Sequence, residues 1–283
     1  CITHGSAAVF PCEGFDPEAT LRVVSEQKCT ALHGVPTMFI AELDHPSFSQ
    51  YELSSLRTGI MAGASCPIEL MNRIIEEMHM SDVLIAYGQT ETSPVNHMTS
   101  HTDAIEKRVA SVGRPGPHLE IKLVDSEGSI VAVGKKGEIC VRGYAVMQGY
   151  WKVEDSGVDE NGWFKTGDIA TIDESGYIFL VDRKKDMIIV SGFNVYPNEV
   201  EAVVAEHPAV MECGCIGVAN EKSQEAVKVY AVLHEGQSLT AEELIEYCRE
   251  KLTAYKVPKH VEFIAELPKT NVGKVLRREL KSL

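Results

Sequence analysis

The sequence predicts an α/β-layered first part, then a small β subdomain, then a compact α+β domain at the carboxyl end. Three observations support this. Helical and strand-like runs alternate at first, short runs bounded by glycines follow from residue 119, and mixed helices and strands return towards the end. A chain of 283 residues can form one large domain or two ordinary ones. We place the domain boundary at the charged segment 182–186.

The first stretch carries the signals of helices alternating with strands. Asp16, a capping residue, precedes Pro17 at the first helical position, which predicts a helix over 17–28. The remaining elements expected here are a buried run over 30–35, a helix from Pro36, a strand over 58–62, a helix over 67–79 and a strand over 83–87.

The pattern changes at residue 119 to short apolar runs separated by glycines. Such runs are typical of an antiparallel sheet, so we expect a small barrel-like or meander β subdomain. The expected strands cover 119–124, 137–142, 169–172 and 177–182.

The last hundred or so residues predict a separate α+β unit. Thr240, with Glu243 three positions later, is the pattern of a capping box and marks the start of a helix. The other elements expected are a helix near 198–206 and strands near 212–218, 226–233 and 260–264.

Composition excludes several classes of protein. Hydrophobic residues make up 44% of the chain and charged residues 24%, as in globular proteins, and no apolar run is long enough for a transmembrane segment. The net charge of −14 argues against nucleic acid as a partner. The eight scattered cysteines indicate reduced thiols in an intracellular, cytoplasmic protein. Because the chain begins at Cys1, we expect the amino terminus, with any targeting signal, to be missing.

The tail is locally basic. From residue 256 onward, seven basic residues stand against three acidic ones. A solvated helix face would account for this, and so would a bound anion such as a nucleotide or CoA phosphate.

A pentapeptide with the sequence YGQTE, residues 87–91, directly follows a predicted strand. Ligand-binding loops of α/β proteins occupy such positions. Its aromatic ring can stack on a purine, its hydroxyl can bond a phosphate, and its carboxylate can hold Mg²⁺. Taken by itself, the segment is better interpreted as a turn with solvated polar groups.

Four further segments carry candidate chemistry. The small-residue loop 61–67 lets backbone approach a flat ring, or is simply a tight connection. Asp168, on a glycine turn, can accept ribose hydroxyls or form an Asx turn. Residues 182–197 combine charges, a β run and a glycine loop. Lys274 ends a glycine-containing loop over 268–274, and a short basic helix is expected over 275–280.

In this order, the segments resemble the adenylate-forming (AMP-binding) superfamily, and within it fatty acyl-CoA synthetases of the medium- and long-chain type. Residues 137–143 and 147–151 also match, so the resemblance covers essentially the whole chain. It implies a large domain over 1–182, a hinge over 183–185 and a small α+β lid over 186–283. The family's phosphate loop has no match here. We therefore expect a carboxyl-terminal fragment that is inactive alone.

The resemblance implies ATP-dependent conversion of a fatty acid to acyl-AMP, then transfer to coenzyme A. Lys274 would offset charge on the reacting phosphate, Thr90 would bond the α-phosphate, and Glu91 would hold Mg²⁺. The implied ATP/AMP-binding residues are Gly63, Ala64, Ser65, Tyr87, Gly88, Gln89, Thr90, Asp168, Arg183 and Lys274.

The second step implies a different lid position. Lys185 occupies the family's hinge position, and Gly192 would border the tunnel through which CoA enters. The segment 31–39 falls where the family lines its acyl pocket. There His33 could meet the substrate carboxylate, although we interpret it as a core histidine.

Three rival functions share parts of this pattern. An adenylation module that loads a carrier protein would use the same motifs, but no carrier domain follows Leu283, which favours free CoA. A luciferase-type oxidase is disfavoured because the chain ends Lys281-Ser282-Leu283 rather than in the peroxisomal Ser-Lys-Leu signal. A non-catalytic nucleotide-binding homologue would have no need of Lys274. The expected partners are small molecules: fatty acid, ATP and CoA.

Overall fold

The computed structural model describes residues 2–154, 156–270 and 275–283. Two compact units compose it. The first comprises Cys1–Ile121, Val141–Phe164 and Ile172–Phe179, and the second comprises Lys122–Cys140, Lys165–Thr171 and Leu180–Leu283. A hinge at 183–185 stays a prediction.

Four α-helices and a four-stranded sheet build most of the described part of the first unit. The elements are α1 (Pro17–Gln27), α2 (Pro36–Leu43), β1 (Thr58–Ala62), α3 (Ile68–Glu77), β2 (Asp82–Tyr87), β3 (His97–Met98), α4 (Ile105–Ala110) and β4 (Arg114–Pro115). The strand order is β1-β2-β3-β4. β1 and β2 are parallel, with Ala62 opposite Ala86. The predicted run 30–35 is not a continuous strand, but single parallel bridges join Ala31 to Thr58 and Gly34 to Met61.

The local signals of this unit act as predicted. The Asp16 side chain accepts a hydrogen bond from the Ala19 amide at 2.7 Å, and α1 begins at the following proline. In α3 the buried residues Leu70, Met71 and Ile74 recur at helical spacing. They join a core that includes Leu21, Phe39, Met61, Met78, Met80 and Val83.

The predicted β subdomain is present. It consists of β5 (Leu119–Val124), β6 (Gly137–Gly143), β7 (Phe164–Ile172) and β8 (Ile178–Arg183). Neighbours in this sheet are consecutive in the chain, in the order β5-β6-β7-β8, which is the order of a meander. β5 and β8 are its edges, so among the described residues the sheet is open and does not close as a barrel.

The second unit contains a five-stranded sheet and its helices. The elements are β9 (Ile188–Val190), β10 (Phe193–Val195), α5 (Pro197–Ala205), β11 (Val210–Asn220), β12 (Gln224–Leu233), α6 (Ala241–Lys251), β13 (His260–Phe263) and α7 (Arg277–Leu280). The path is β10-β9-β12-β11, with β13 parallel to β12. The Thr240–Glu243 capping box is present at the start of α6, as predicted. Leu244 and Cys248 of α6 pack against Val227 and Val229 of β12 within one buried cluster.

Within residues 2–154, 156–270 and 275–283, every helix is too short or too polar to cross a bilayer. The cysteines of the same ranges are all free thiols, namely Cys12, Cys29, Cys66, Cys140, Cys213, Cys215 and Cys248.

Candidate functional site

Two of the predicted nucleotide loops leave the same edge of one sheet. The loop 63–65 follows β1 and the loop 88–91 follows β2, and these strands are parallel neighbours. In open α/β sheets, ligands bind outside the carboxyl ends of parallel strands. The bridge from Gly34 to Met61 brings the segment after residue 34 to this edge as well.

Both loops depend on glycine for different reasons. Gly63 has a φ of +88°, a left-handed backbone that favours glycine. At Gly88, a β-carbon would lie 1.9 Å from the carbonyl oxygen of Pro94, so any side chain would displace the backbone. The path of the 88–91 loop therefore requires a residue without a β-carbon.

A buried polar scaffold supports the 88–91 loop. Thr90–Thr92 form a 3₁₀ turn capped by Gln89, whose amide donates to Thr92 Oγ1 at 3.1 Å. The Asn96 amide group donates to the same oxygen at 3.0 Å. Thr92, Asn96 and His97 are all 0% exposed. The sequence interpretation missed this scaffold. The three-residue spacing of Gln89 and Thr92 could have revealed Thr92, whereas no local signal marks Asn96.

The two side chains predicted to contact phosphate and metal are accessible. Thr90 is exposed and Glu91 is half-buried. The Tyr150 hydroxyl donates to Glu91 Oε1 at 2.7 Å, and the Met147 amide donates to the Glu91 carbonyl at 2.9 Å. The bond to Glu91 raises the pKa of Tyr150.

The Thr90 hydroxyl and the Glu91 carboxylate are suitable ligands for a magnesium ion that is bound together with a nucleotide. Mg²⁺ takes one or two carboxylates, together with substrate phosphates and water. Glu91 supplies one carboxylate beside the Thr90 hydroxyl. Within the described residues, no cluster of three or more His, Cys, Asp or Glu side chains could enclose a metal ion. A magnesium ion here would therefore share its coordination with the nucleotide.

Tyr87 and His97 form an aromatic pair behind the loop. Their ring centroids are 5.7 Å apart and tilted by 51°. Tyr87 is 9% exposed, so only a small part of its ring is available to a ligand. Burial lowers the pKa of His97 to about 4, which keeps the ring neutral near pH 7.

His33 is not a core histidine. It is exposed, and its Nδ1 accepts a hydrogen bond from the Ile60 amide at 3.1 Å. The core interpretation was wrong because the bridges of segment 31–34 to β1 place His33 at the sheet surface.

In the second unit, the two residues predicted to contact ribose pair with each other. Arg183 Nε lies 2.8 Å from Asp168 Oδ1. The Asp168 side chain is 7% exposed and that of Arg183 is 39% exposed. The Asp168 amide donates to Thr166 Oγ1, whose hydroxyl donates to the Ile139 carbonyl at 2.9 Å. Strands β7 and β8 thus hold a buried carboxylate against a partly exposed guanidinium.

The predicted hinge and tunnel residues lie in exposed turns of the same unit. Lys185 is exposed in the turn Lys184–Asp186. Ser191 and Gly192 form the two-residue connection of the β9–β10 hairpin, with φ values of +51° and +82°. Both positive values are typical of a type I′ turn. A β-carbon on Gly192 would meet nothing within 4 Å, so the turn borders open space.

Lys274 lies outside the described residues, within 271–274. The chain on either side of that segment is paired. Lys269 bridges to Val275 in antiparallel fashion, and the Leu276 amide donates to the Pro268 carbonyl at 2.8 Å. The predicted site residues of the described chain thus fall into two groups, one in each unit.

Family models match both ends of the chain. The model described as AMP-binding enzyme matches residues 1–151, and the model described as AMP-binding enzyme C-terminal domain matches residues 199–274.

Individual proteins are similar over nearly the whole chain. The protein YngI of Bacillus subtilis, whose name describes an acyl-CoA synthetase, is 46% identical over 99% of this chain and 52% of its own length. A mitochondrial medium-chain acyl-CoA ligase of Danio rerio is 40% identical over 98% of this chain and 46% of its own length. The structure of o-succinylbenzoate CoA synthetase from Bacillus subtilis, in complex with ATP and magnesium, is 32% identical with a TM-score of 0.79. The match covers 94% of this chain and 54% of that one. The chain thus spans about half the length of the curated relatives it matches.

Proposed function

This chain belongs to the family of AMP-binding enzymes, and from that premise we propose that it acts in an ATP-dependent acyl-CoA synthetase. The reaction converts a fatty acid to acyl-AMP and then to acyl-CoA, releasing pyrophosphate and AMP. The observation that carries the proposal is the 88–91 loop. It presents an exposed hydroxyl and a half-buried carboxylate at the carboxyl end of β2, on a fully buried polar scaffold.

In the first step, an oxygen of the substrate carboxylate bonds to the α-phosphorus of ATP as the bond to pyrophosphate breaks. Negative charge grows on the phosphate oxygens, and preorganised donors stabilise it where water is excluded. The Thr90 hydroxyl donates a hydrogen bond to the α-phosphate, and Lys274 approaches from the lid. Glu91 would hold Mg²⁺, which when bound supplies positive charge against the phosphates.

The residues implied for nucleoside binding would each contact a different part of the nucleotide. The Asp168 carboxylate accepts the ribose hydroxyls, while Arg183, bonded to it, holds its orientation. Backbone of Gly63, Ala64 and Ser65 flanks the adenine. On its other side lie Tyr87, Gly88 and Gln89, with Tyr87 offering the small exposed part of its ring.

In the second step, the CoA thiol bonds to the acyl carbonyl carbon and AMP leaves. The bond between the acyl carbon and the AMP phosphate oxygen breaks, and the thiol proton is released to solvent. CoA needs the space that Lys274 occupied, so the lid turns about Lys185 and brings the Ser191-Gly192 turn to the thiol path. The open space around Gly192 is compatible with a neighbouring pantetheine chain.

A fatty acid is the proposed acid for two reasons. A relative bears the name medium-chain acyl-CoA ligase, and the segment 31–39 is mainly apolar.

The free thiols at the described cysteines support an intracellular location.

The test is a product assay on full-length protein that includes the family's phosphate loop. Mixing it with ATP, Mg²⁺, CoA and fatty acids of increasing chain length should release AMP and pyrophosphate and form an acyl thioester. Chain 1–283 alone should form neither product. Release of ADP instead of AMP would contradict adenylation, and AMP release with a thioester on a carrier protein but not on CoA would reassign the acceptor.

A further inference from the structure

A cluster of charges surrounds the predicted hinge. Arg277 Nη2 lies 2.7 Å from Glu201 Oε2, and Arg277 Nε lies 3.2 Å from Glu201 Oε1. The same guanidinium donates to Asn198 Oδ1 at 2.6 Å and to Asp186 Oδ2 at 3.4 Å. Its Nη1 is 3.8 Å from Asp182 Oδ1. We call these five residues the Arg277 cluster. One arginine therefore contacts the end of β8, the following turn and α5.

Asp182 is the deepest member of the cluster. Its side chain is 0% exposed. Its two oxygens accept from the amides of Arg183 at 2.7 Å and Asn198 at 2.8 Å. The Asn198 side chain in turn donates to the Val181 carbonyl at 2.9 Å. The end of β8 is thus bonded to the start of α5 by two hydrogen bonds, and to Arg277 at the start of α7 by one longer ionic contact.

Arg277 itself is fixed to the body of the second unit. It begins α7, whose Leu280 is 0% exposed and packs in a buried cluster with Ile216 of β11. Gly214 of β11 makes room for this leucine, because a β-carbon there would lie 2.7 Å from Leu280 Cδ1. Arg277 also follows Lys274 by three positions. The helix α7 thus ties the Arg277 cluster to β11 of the same unit.

The contacts divide into two sets about Lys185. Asp186, Asn198, Glu201 and Arg277 all follow Lys185, whereas Asp182 and Val181 precede it. A rotation at Lys185 leaves the bonds of Arg277 to Glu201 and Asp186 in place. It must break the Asp182–Asn198, Val181–Asn198 and Asp182–Arg277 contacts. Because Arg277 keeps two carboxylate partners, this release does not leave a buried arginine without a counter-charge.

We propose that Asp182, Asn198 and Arg277 form a latch that holds residues 186–283 in one of two positions and so sets the ratio of the two half-reactions. They are positioning residues, since none of them contacts substrate in this account. The inference rests on the proposed two-step function, and each of its parts has a separate readout.

The first test uses chain 1–283 and needs no activity. Asp182→Asn keeps the size of the side chain and removes its charge. Residue-resolved hydrogen exchange of the Arg183 and Asn198 amides should become about 3- to 30-fold faster, the range expected when a coupling contact is removed. The control is Glu262→Gln, which breaks the Lys228–Glu262 pair at 2.8 Å, between β12 and β13. Unchanged exchange at Arg183 and Asn198 in Asp182→Asn would overturn the latch.

The second test uses full-length protein and the exposed residue Asn198, whose substitution carries little risk to folding. Asn198→Ala removes the bonds to Arg277 and to the Val181 carbonyl. The ratio of the adenylation rate to the thioester-forming rate should change by about 3- to 30-fold, and in Glu262→Gln it should not change.

Equal loss of both half-reactions would make the cluster merely structural and overturn the proposal. If wild-type protein catalysed neither half-reaction, the proposed function would fail. The exchange measurement on chain 1–283 would then still decide whether the contacts act as a latch.

Discussion

The two groups of predicted site residues are supported in different ways. In the first unit, the loop 88–91 rests on Thr92, Asn96 and His97, each 0% exposed. In the second unit, the end of β8 and the turn after it are held mainly by charged groups. Among them are the fully buried Asp182 and Lys184, 49% exposed, which pairs with Glu138 at 2.8 Å. Buried neutral polar networks rigidify, whereas partly exposed ion pairs contribute little to stability and exchange partners readily. We therefore expect the 88–91 loop to be fixed and the turn after β8, the proposed hinge, to rearrange.

The largest effect is expected at Lys274. In the proposed mechanism Lys274 acts only while phosphate charge develops, so Lys274→Ala should slow acyl-adenylate formation by about 100- to 1,000-fold. Supplying synthetic acyl-adenylate and CoA bypasses that step, and the variant should then form thioester at nearly the normal rate. Quenched-flow measurement of both half-reactions in full-length protein checks this. Equal slowing of both steps would remove the distinction between a fixed and a moving part.

Acid should lower the free energy of unfolding of the first unit, because His97 of its buried scaffold then gains a proton. The pKa of His97 is about 4 in the folded chain, against 6.5 when exposed. Between these pH values the unfolded chain binds more protons than the folded chain. The contribution of neutral His97 to the free energy of unfolding is therefore complete above pH 6.5 and is lost as pH falls towards 4. The loss is about 3 kcal/mol. His97→Gln should abolish it in urea unfolding curves of chain 1–283 recorded across this range.

Glu42 provides the opposite pH dependence in the same unit. Burial raises its pKa from 4.5 to about 8, and among the described residues its Oε2 has no hydrogen-bond partner. Its contribution to stability is complete below pH 4.5 and is lost as pH rises through 8. The two groups oppose each other between pH 4.5 and 6.5, so His97→Gln is best compared in a Glu42→Gln background. A slope that persists in the double variant would assign the pH dependence to other groups.

The ribose-binding prediction has a matched control within β6–β8. Asp168→Ala should weaken ATP binding and adenylation by about 1 to 3 kcal/mol, because polar partners lose their acceptor. Glu138→Ala removes a carboxylate whose side chain has the same exposed fraction, 7%, as that of Asp168. Glu138 pairs with Lys184 in the turn after β8, just as Asp168 pairs with Arg183 at the end of β8. If Glu138→Ala weakened ATP binding as much as Asp168→Ala, loss of a buried ion pair would explain both. Titration of full-length protein with ATP distinguishes these outcomes.

The smallest effect is expected at the hairpin turn. Any side chain at a positive φ costs about 1 to 2 kcal/mol of stability. Beyond the effect of that cost, Gly192→Leu should slow thioester formation by about tenfold. Gly236→Leu is the control for that cost. Gly236 has a φ of +78° and, like Gly192, has nothing within 4 Å of an added β-carbon. Equal slowing of thioester formation in both variants would place Gly192 outside the CoA path.

Local chemistry made much of the fold predictable. The cap at Asp16, the capping box at Thr240 and the apolar run 119–124 correspond to element ends in the structure. The sequence predicts Asp168 on a glycine turn, but β7 extends from Phe164 through Gly167 to Ile172. Gly167 has a φ of +73°, which glycine adopts without steric cost, so the strand continues through it.

Contacts between distant positions could not be predicted in this way. Asn96 supports the 88–91 loop because β3 pairs with β2, and Arg277 meets Asp182 across 95 positions of the chain. Neither residue stands in a local pattern that requires its partner. Motif order could therefore suggest which residues bind nucleotide, while the supports of those residues depended on the tertiary structure.

Amide hydrogen exchange on chain 1–283, resolved by residue, tests the comparison most directly. The Asn96 amide donates to the Tyr87 carbonyl at 2.9 Å, and the Asn198 amide donates to Asp182 Oδ2 at 2.8 Å. The Asn96 amide should exchange only when the first unit unfolds, whereas the Asn198 amide should exchange at least about tenfold faster through a local opening. Equal protection of the two amides, or faster exchange at Asn96, would contradict the expected difference between a fixed 88–91 loop and a rearrangeable turn after β8.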